Sequence, residues 1–360
     1  MSHLPADKKK RLHTIAKEIV AKGKGILAAD ESNASVAKRF SEIKLDNTEE
    51  NRRLFRQMLF SAKGAEEYLG GVIFFEETFK HMDDSGKLFV ELLKERGIKV
   101  GIKLDKGLVT IPGTDDEKFT QGFDGLVERC KEFAQKGAVF AKWRCVLKIS
   151  KKGLPSELAY QEVACTLAKY ALICQENGIV PIVEPEVLRD GDHDLQTAQK
   201  VTETILSKLY DALTFYGVYL EGTLLKPNMV TAGEACPTKY TPDEVAEATV
   251  VALSRTVPCA VPGITFLSGG QSEKSATHHL SLINKKKGQC PWSLTFSFAR
   301  ALQNSAVLKW EGKKENVAEA QKILLKRMAF NSQACTGQYD PAADVGATFE
   351  GSLYVKGHEY

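Results

Sequence analysis

Lys226 closes an apolar run, Leu224-Leu225-Lys226, and Pro227 and Asn228 follow at once. Burying an ammonium forfeits its hydration. A lysine in such a place therefore points to a chemical task, and the commonest is attack on a carbonyl as a free amine. Burial and a neighbouring cation both favour the neutral amine, and Lys142, inside a second apolar run, is the cation the sequence offers. Glu184, in Val183-Glu184-Pro185-Glu186, suits proton transfer to and from a carbinolamine oxygen, and Asp30 supplies a carboxylate on the other side. Any one of these residues reads equally well as half of a rim ion pair. Their joint appearance at the ends of apolar runs is what argues for catalysis.

Eight such runs are the elements that must position them: 25–30, 71–77, 99–106, 140–145, 179–186, 219–228, 260–270 and 293–300. They are short, rich in β-branched and apolar residues and not cleanly alternating, as expected of strands buried on both faces of a parallel sheet. Between them lie helical periods, such as Val163, Leu167, Tyr170, Ala171 and Cys174, stopped by Asn177-Gly178. Thr241-Pro242-Asp243-Glu244 predicts a helix start with proline at its first position and a capping-box glutamate. Asn316 precedes a helix with Val317, Ala320, Leu324 and Met328 on one face, and an additional N-terminal helix carries Leu12, Ile15, Ala16 and Ile19. Strand and helix alternating eight times predict an α/β fold, a single (β/α)8 TIM barrel. With its N-terminal helix it occupies 1–334, and a mobile, Gly- and Ala-rich C-terminal tail follows over 335–360. A doubly wound nucleotide-binding sheet is the alternative. No Gly-x-Gly-x-x-Gly follows a strand, however, and Lys22-Gly23-Lys24-Gly25 has the wrong spacing for a P-loop.

Side chains two apart on a strand share a face. Lys103 with Asp105, Lys142 with Arg144, Glu184 with Glu186, and Ser268 with Gly270 thus gather at the C-terminal ends of strands, where barrels hold their active sites. Ser268-Gly269-Gly270 precedes a helix start at 271–273, an arrangement that presents backbone N–H groups to an anion. Arg300, closing the last run, adds a forked donor for the same phosphate. Ser32, Ser35, Lys38 and Arg39 after the first strand, with Lys103, form a second candidate anion site, or else a capped and solvated basic helix.

The remaining features mostly exclude. In a chain of 360 residues, 43 % hydrophobic and 26 % charged, a net charge of +3 makes no case for nucleic acid or membrane binding. No run reaches the ~18 apolar residues of a membrane span. The polar, lysine-rich stretch 1–11 has no apolar segment behind it, so no secretory leader is expected. The eight cysteines form no Cys-x-x-Cys pair and are expected as reduced thiols in a cytoplasmic protein. Asp190-Gly191-Asp192-His193-Asp194 reads as a loop and helix cap. The seven histidines have no metal-ligand spacing, and no cofactor or catalytic metal is expected where an iminium can serve as electron sink.

Ala28-Ala29-Asp30-Glu31-Ser32, Ala141-Lys142-Trp143-Arg144, Val183-Glu184-Pro185-Glu186, Leu224-Leu225-Lys226-Pro227-Asn228 and Phe266-Leu267-Ser268-Gly269-Gly270-Gln271 together resemble the eukaryotic type of class I fructose-bisphosphate aldolase. The resemblance covers essentially the whole chain. It implies a glycolytic enzyme that reversibly cleaves fructose 1,6-bisphosphate to dihydroxyacetone phosphate and glyceraldehyde 3-phosphate. Lys226 is then the Schiff-base lysine, Glu184 the acid and base of the carbinolamine steps, and Asp30 the base for the C4 hydroxyl. Lys142 orders Lys226, with Arg144 close by and Glu186 in the same carboxylate pair. Ser268, Gly269, Gly270, Ser297 and Arg300 are implied around the C1 phosphate, and Ser32, Ser35, Arg39 and Lys103 near the C6 phosphate. Tyr360 matches the family's terminal tyrosine, which assists proton exchange on the enamine. A cytoplasmic homotetramer and cytoskeletal partners are implied by the resemblance alone. The alternatives are another Schiff-base enzyme of phosphosugars, such as a transaldolase, and a non-catalytic scaffold. Two departures stand out: Asn33-Ala34 replaces the usual Thr-Gly, and Phe298-Ala299-Arg300 replaces Tyr-Gly-Arg. If position 299 needed the positive φ open to glycine, the alanine would displace Arg300.

Overall fold

Eight parallel strands close into a barrel in the computed structural model, which describes residues 3–345 and 351–356. In chain order the strands are β1 (Gly25–Ala29), β2 (Leu69–Phe74), β3 (Lys99–Lys103), β4 (Leu108–Thr110), β5 (Lys118–Thr120), β6 (Phe140–Leu147), β7 (Val180–Val187), β8 (Leu224–Leu225), β9 (Gly263–Phe266) and β10 (Ser293–Phe298). The barrel runs β1-β10-β9-β8-β7-β6-β3-β2, while β4 and β5 form a separate antiparallel hairpin that the sequence reading did not anticipate. All eight residues of β6 are buried. Such strands show no alternation because one face meets the barrel interior and the other meets helices.

The helices are α1 (Ala6–Ile19), α2 (Asn33–Glu42), α3 (Glu49–Phe60), α4 (Phe89–Glu95), α5 (Leu126–Gln135), α6 (Glu157–Glu176), α7 (Leu195–Phe215), α8 (Pro242–Thr256), α9 (Glu273–Lys286), α10 (Arg300–Trp310) and α11 (Val317–Ala334). The capping box forms as expected: Thr241 accepts from the Glu244 amide, and Glu244 accepts from the Thr241 amide at 2.7 Å. Asp194, in the loop read as a cap, does cap α7 by accepting from the Thr197 amide at 2.8 Å. The expected apolar face of α1, Leu12, Ile15, Ala16 and Ile19, packs in one cluster with Ile26, Ile73, Phe140, Ile182 and Leu224 of the strands. This helix therefore plugs the barrel opposite the mouth. Its end approaches so closely that a Cβ on Gly70 would meet the Ile19 carbonyl oxygen at 2.0 Å.

Several boundaries shift. The sixth expected strand, 219–228, shrinks to Leu224–Leu225 because Leu220–Gly222 turn as a 3-10 helix. The Gln175 side chain holds that turn, donating to the Tyr219 and Gly222 carbonyls at 2.7 and 3.1 Å. The third strand stops at Lys103, the seventh covers only Gly263–Phe266, and the fourth extends to Leu147. The eighth ends at Phe298, so Arg300 opens α10 and does not close a strand. Beyond α11 the chain stays packed through Asp344. Arg327 pairs with Asp344 at 2.5 Å, Tyr339 donates to the same carboxylate at 2.8 Å, and both partners of the ion pair are buried. No helix among the described residues is long and apolar enough to cross a membrane.

Candidate active site

Lys226 follows the two-residue β8 directly, and its backbone N–H donates to the Val183 carbonyl of β7 at 2.8 Å. That bond brings its ammonium to Glu184 of the neighbouring strand, with Nζ 3.1 Å from Oε1. The other oxygen of Glu184 lies 3.4 Å from Lys142 Nζ, and Lys142 lies 2.8 Å from Asp30 Oδ2. Carboxylate and amine thus alternate in one buried row, Asp30, Lys142, Glu184, Lys226, each at most 4 % exposed. Buried charges survive where each has an opposite partner at hydrogen-bonding range. On sequence alone Lys142 is the cation neighbouring Lys226. In the structure it is instead clasped between the two carboxylates, and Glu184 bridges it to Lys226.

Burial alone would raise the proton affinity of Asp30, yet Lys142, Lys226 and Lys103 outweigh it and bring its pKa down from 3.8 to about 2. The carboxylate is ionised at any physiological pH. Asp105 is also held below its usual range: burial opposes this, and Lys103, 2.6 Å away, and then Lys142 overcome it. Arg144 donates from Nε to Glu186 Oε2 at 2.6 Å, a second cross-strand pair beside the row.

One cleft at the C-terminal ends of the strands is lined by Glu184, Glu186, Lys226, Ser268, Gly269, Gly270, Ser297 and Arg300, with Ala28 at its wall. Gly269 and Gly270 have φ of +55° and +81°, which leaves the loop's conformation open to glycine and strained for other residues. The loop leads into α9, whose N-cap Ser272 accepts from the Ser275 amide at 3.1 Å. Ser297 lines the cleft, and its buried Oγ makes no hydrogen bond to any described residue. Ala299 adopts φ −100°, so no positive φ is required there and the alanine does not displace Arg300.

The second expected anion site assembles only in part. Ser32 caps α2, accepting from the Ser35 amide at 3.3 Å, and the two hydroxyls are 3.0 Å apart. Asn33 and Ala34 simply form the first turn of that helix. Lys103 is engaged by Asp105. Arg39 is turned inward: it pairs with Glu31, donates to Gln303 Oε1 at 2.5 Å and lies over the Phe55 ring. Tyr360 lies outside the described residues.

Sequence reasoning missed the segment 351–356. The Leu353 amide donates to the Gly270 carbonyl at 3.0 Å, Arg300 donates to the Leu353 carbonyl, and the Tyr354 hydroxyl donates to Asp190 Oδ1 at 2.8 Å. Tyr354 and Val355 therefore line the same cleft as the lysine. Nothing local in the sequence signals this, because the chain must fold back across the mouth to make the contacts.

A family model described as glycolytic, fructose-bisphosphate aldolase class-I, matches residues 11–360. The chain is 58 % identical over 358 residues to fructose-bisphosphate aldolase C of Rattus norvegicus, covering 99 % of this chain and 98 % of the rat protein. It is 56 % identical to the muscle-type fructose-bisphosphate aldolase of Lethenteron camtschaticum, covering 99 % of both. Among solved structures it is similar to fructose-bisphosphate aldolase from Plasmodium falciparum, solved in complex with TRAP and a small molecule inhibitor. That match has a TM-score of 0.92 and 54 % identity, and covers 94 % of this chain and 97 % of the other.

Proposed function

This chain belongs to the class-I fructose-bisphosphate aldolase family, and from that premise we propose how its own residues divide the reaction. The reaction is the reversible cleavage of fructose 1,6-bisphosphate to dihydroxyacetone phosphate and glyceraldehyde 3-phosphate, the work of a carbon–carbon lyase. Lys226 passes a proton to Glu184, 3.1 Å away, and adds to the C2 carbonyl as an amine. Glu184 gives a proton to the departing hydroxyl, so that water leaves and an iminium forms. As the C3–C4 bond breaks, its electron pair moves toward the iminium nitrogen to give an enamine, and the C4 hydroxyl proton passes to Asp30. A carboxylate with a pKa of about 2 is a poor base toward an ordinary alcohol. It suffices toward an O–H whose carbon is becoming a carbonyl, where acidity rises with bond cleavage. Lys142 holds both carboxylates in place and receives the shifting charge. Protonation of the enamine at C3 and hydrolysis then release the ketone; Tyr360 is assigned to that protonation.

The C1 phosphate is assigned to the Ser268-Gly269-Gly270 loop, Ser297 and Arg300, and the C6 phosphate to Ser32, Ser35 and Lys103 with Arg39 behind them. Arg144 and Glu186 flank the sugar. The observation that carries this reading is Lys226 Nζ at 3.1 Å from Glu184 in a buried row with Asp30. Reduction with borohydride in the presence of fructose 1,6-bisphosphate, followed by peptide mapping, tests it: the adduct is expected on Lys226, and an adduct elsewhere overturns the assignment. Comparison with other ketose phosphates separates cleavage of this substrate from transaldolase chemistry.

A cytoplasmic homotetramer is proposed on family membership, with Phe215, 86 % exposed at the end of α7, and Leu158, 54 % exposed on α6, as outer apolar residues that assembly would cover. Light scattering tests the assembly. A cytoskeletal partner is likewise a proposal, tested by co-sedimentation with filaments.

A further inference from the structure

His81 is a buried imidazole that the carbonyl chemistry leaves unused. It ends the 3-10 turn Glu76–Lys80, is 5 % exposed, and neither ring nitrogen makes a hydrogen bond to any described residue. Buried polar atoms left without partners are costly, and each one calls for an explanation. His81 Nε2 faces Glu49 Oε1 at 3.4 Å without hydrogen-bond alignment, and Glu77 belongs to the same turn as His81. One ligand atom from each of Glu49, Glu77 and His81 lies within 4.8 Å of the others. We propose that these three side chains form a divalent-cation site suited to Zn2+.

The donor set decides the metal. One imidazole with two carboxylate oxygens matches zinc, with water in the fourth position, whereas calcium and magnesium take oxygen donors throughout. Zinc bonds of roughly 2.0–2.1 Å in a tetrahedron put ligand atoms about 3.3 Å apart. The cluster therefore has to contract slightly. Glu49 is free to do so: it begins α3, and its side chain is 66 % exposed.

The obvious objection is Arg52, which donates to the two oxygens of Glu77 at 2.7 and 2.5 Å. Arg56 also acts on His81, but it is itself paired with Glu31 at 3.0 Å, so the two carboxylates of the cluster face only one guanidinium not neutralised elsewhere. Each carboxylate oxygen also has a second lone pair, so Arg52 can orient Glu77 from the outer side while one oxygen turns to the metal. Asn33, the first residue of α2, approaches the same carboxylate at 3.5 Å. A bound ion would thus tie the start of α3 and the turn after β2 to the helix that carries Ser32 and Ser35.

The test is titration of the full-length protein with Zn2+ by calorimetry and with Co2+ by absorption. One site per chain is expected. Its cobalt form should show visible bands of nitrogen and oxygen ligation without the strong near-ultraviolet band of a thiolate. Glu49→Gln should weaken zinc binding by roughly tenfold or more, and His81→Ala should abolish it together with the zinc-induced rise in melting temperature. Glu49→Gln alters an exposed side chain and keeps the test decisive if His81→Ala fails to fold. Equal zinc affinity in the parent and Glu49→Gln proteins, a thiolate band, or no binding at millimolar metal overturns the proposal.

Discussion

Lys226 and Asp30 sit at opposite ends of one row of alternating charge, and their replacement should separate two halves of the reaction. Lys226→Met removes the amine and should lower cleavage by at least about 10^4-fold, with no borohydride adduct and an unchanged circular dichroism spectrum. Retained turnover would remove Lys226 from the chemistry. Asp30→Asn should cut kcat by roughly 10^2–10^4-fold while the adduct on Lys226 still forms, because the proposed sequence uses Asp30 only after the iminium. The same residue makes a prediction for pH. Its folded pKa lies below its unfolded one, so the stability it contributes is complete above 3.8 and is lost as pH falls toward about 2. Urea midpoints measured across that interval should fall more steeply in the parent protein than in Asp30→Asn.

At the scale of elements, the loop between β9 and α9 and the start of α8 give contrasting tests. Thr241→Ala removes a capping box far from any proposed chemistry and should cost about 1 kcal/mol of stability with unchanged cleavage. Gly270→Val should instead disturb the site as well as the fold. A Cβ there would meet the Tyr354 backbone at 2.7 Å, and φ of +81° strains any side chain. The variant should raise KM for the bisphosphate by about tenfold, equivalent to a loss of roughly 1.4 kcal/mol of binding. An unaltered KM would show that this loop does not hold the phosphate. These elements also mark what the sequence made legible. Thr241-Pro242-Asp243-Glu244 was readable because capping is local, and the gathering of Asp30, Lys142, Glu184 and Lys226 was readable because barrel strands end in one plane. The shortness of β8 was not, because the turn before it depends on Gln175, more than forty residues earlier, reaching across to Tyr219 and Gly222. Arg300 read as a strand end because Ala299 has no side chain that announces a helix. The inward pairing of Arg39 was not legible, because no local pattern reveals Glu31 and Gln303 closing around it.

The whole molecule is closed at both ends by its own chain: α1 fills the base, and residues 351–356 lie across the mouth. Between them the Arg327–Asp344 pair fastens the chain after α11 to the body, with side-chain exposures of 1 % and 0 %. Asp344→Ala leaves a guanidinium buried without its partner and should cost about 3–5 kcal/mol, read as a lower denaturation midpoint. A midpoint within error of the parent protein would mean the pair contributes nothing net. The two-ended closure has a practical corollary for handling the enzyme. A carrier, dye or surface linkage attached at the start of α1 sits on the blind side of the cylinder and should leave turnover untouched. The same attachment on residues 351–356 would hang over the cleft that holds Lys226 and should hinder the passage of sugar and products.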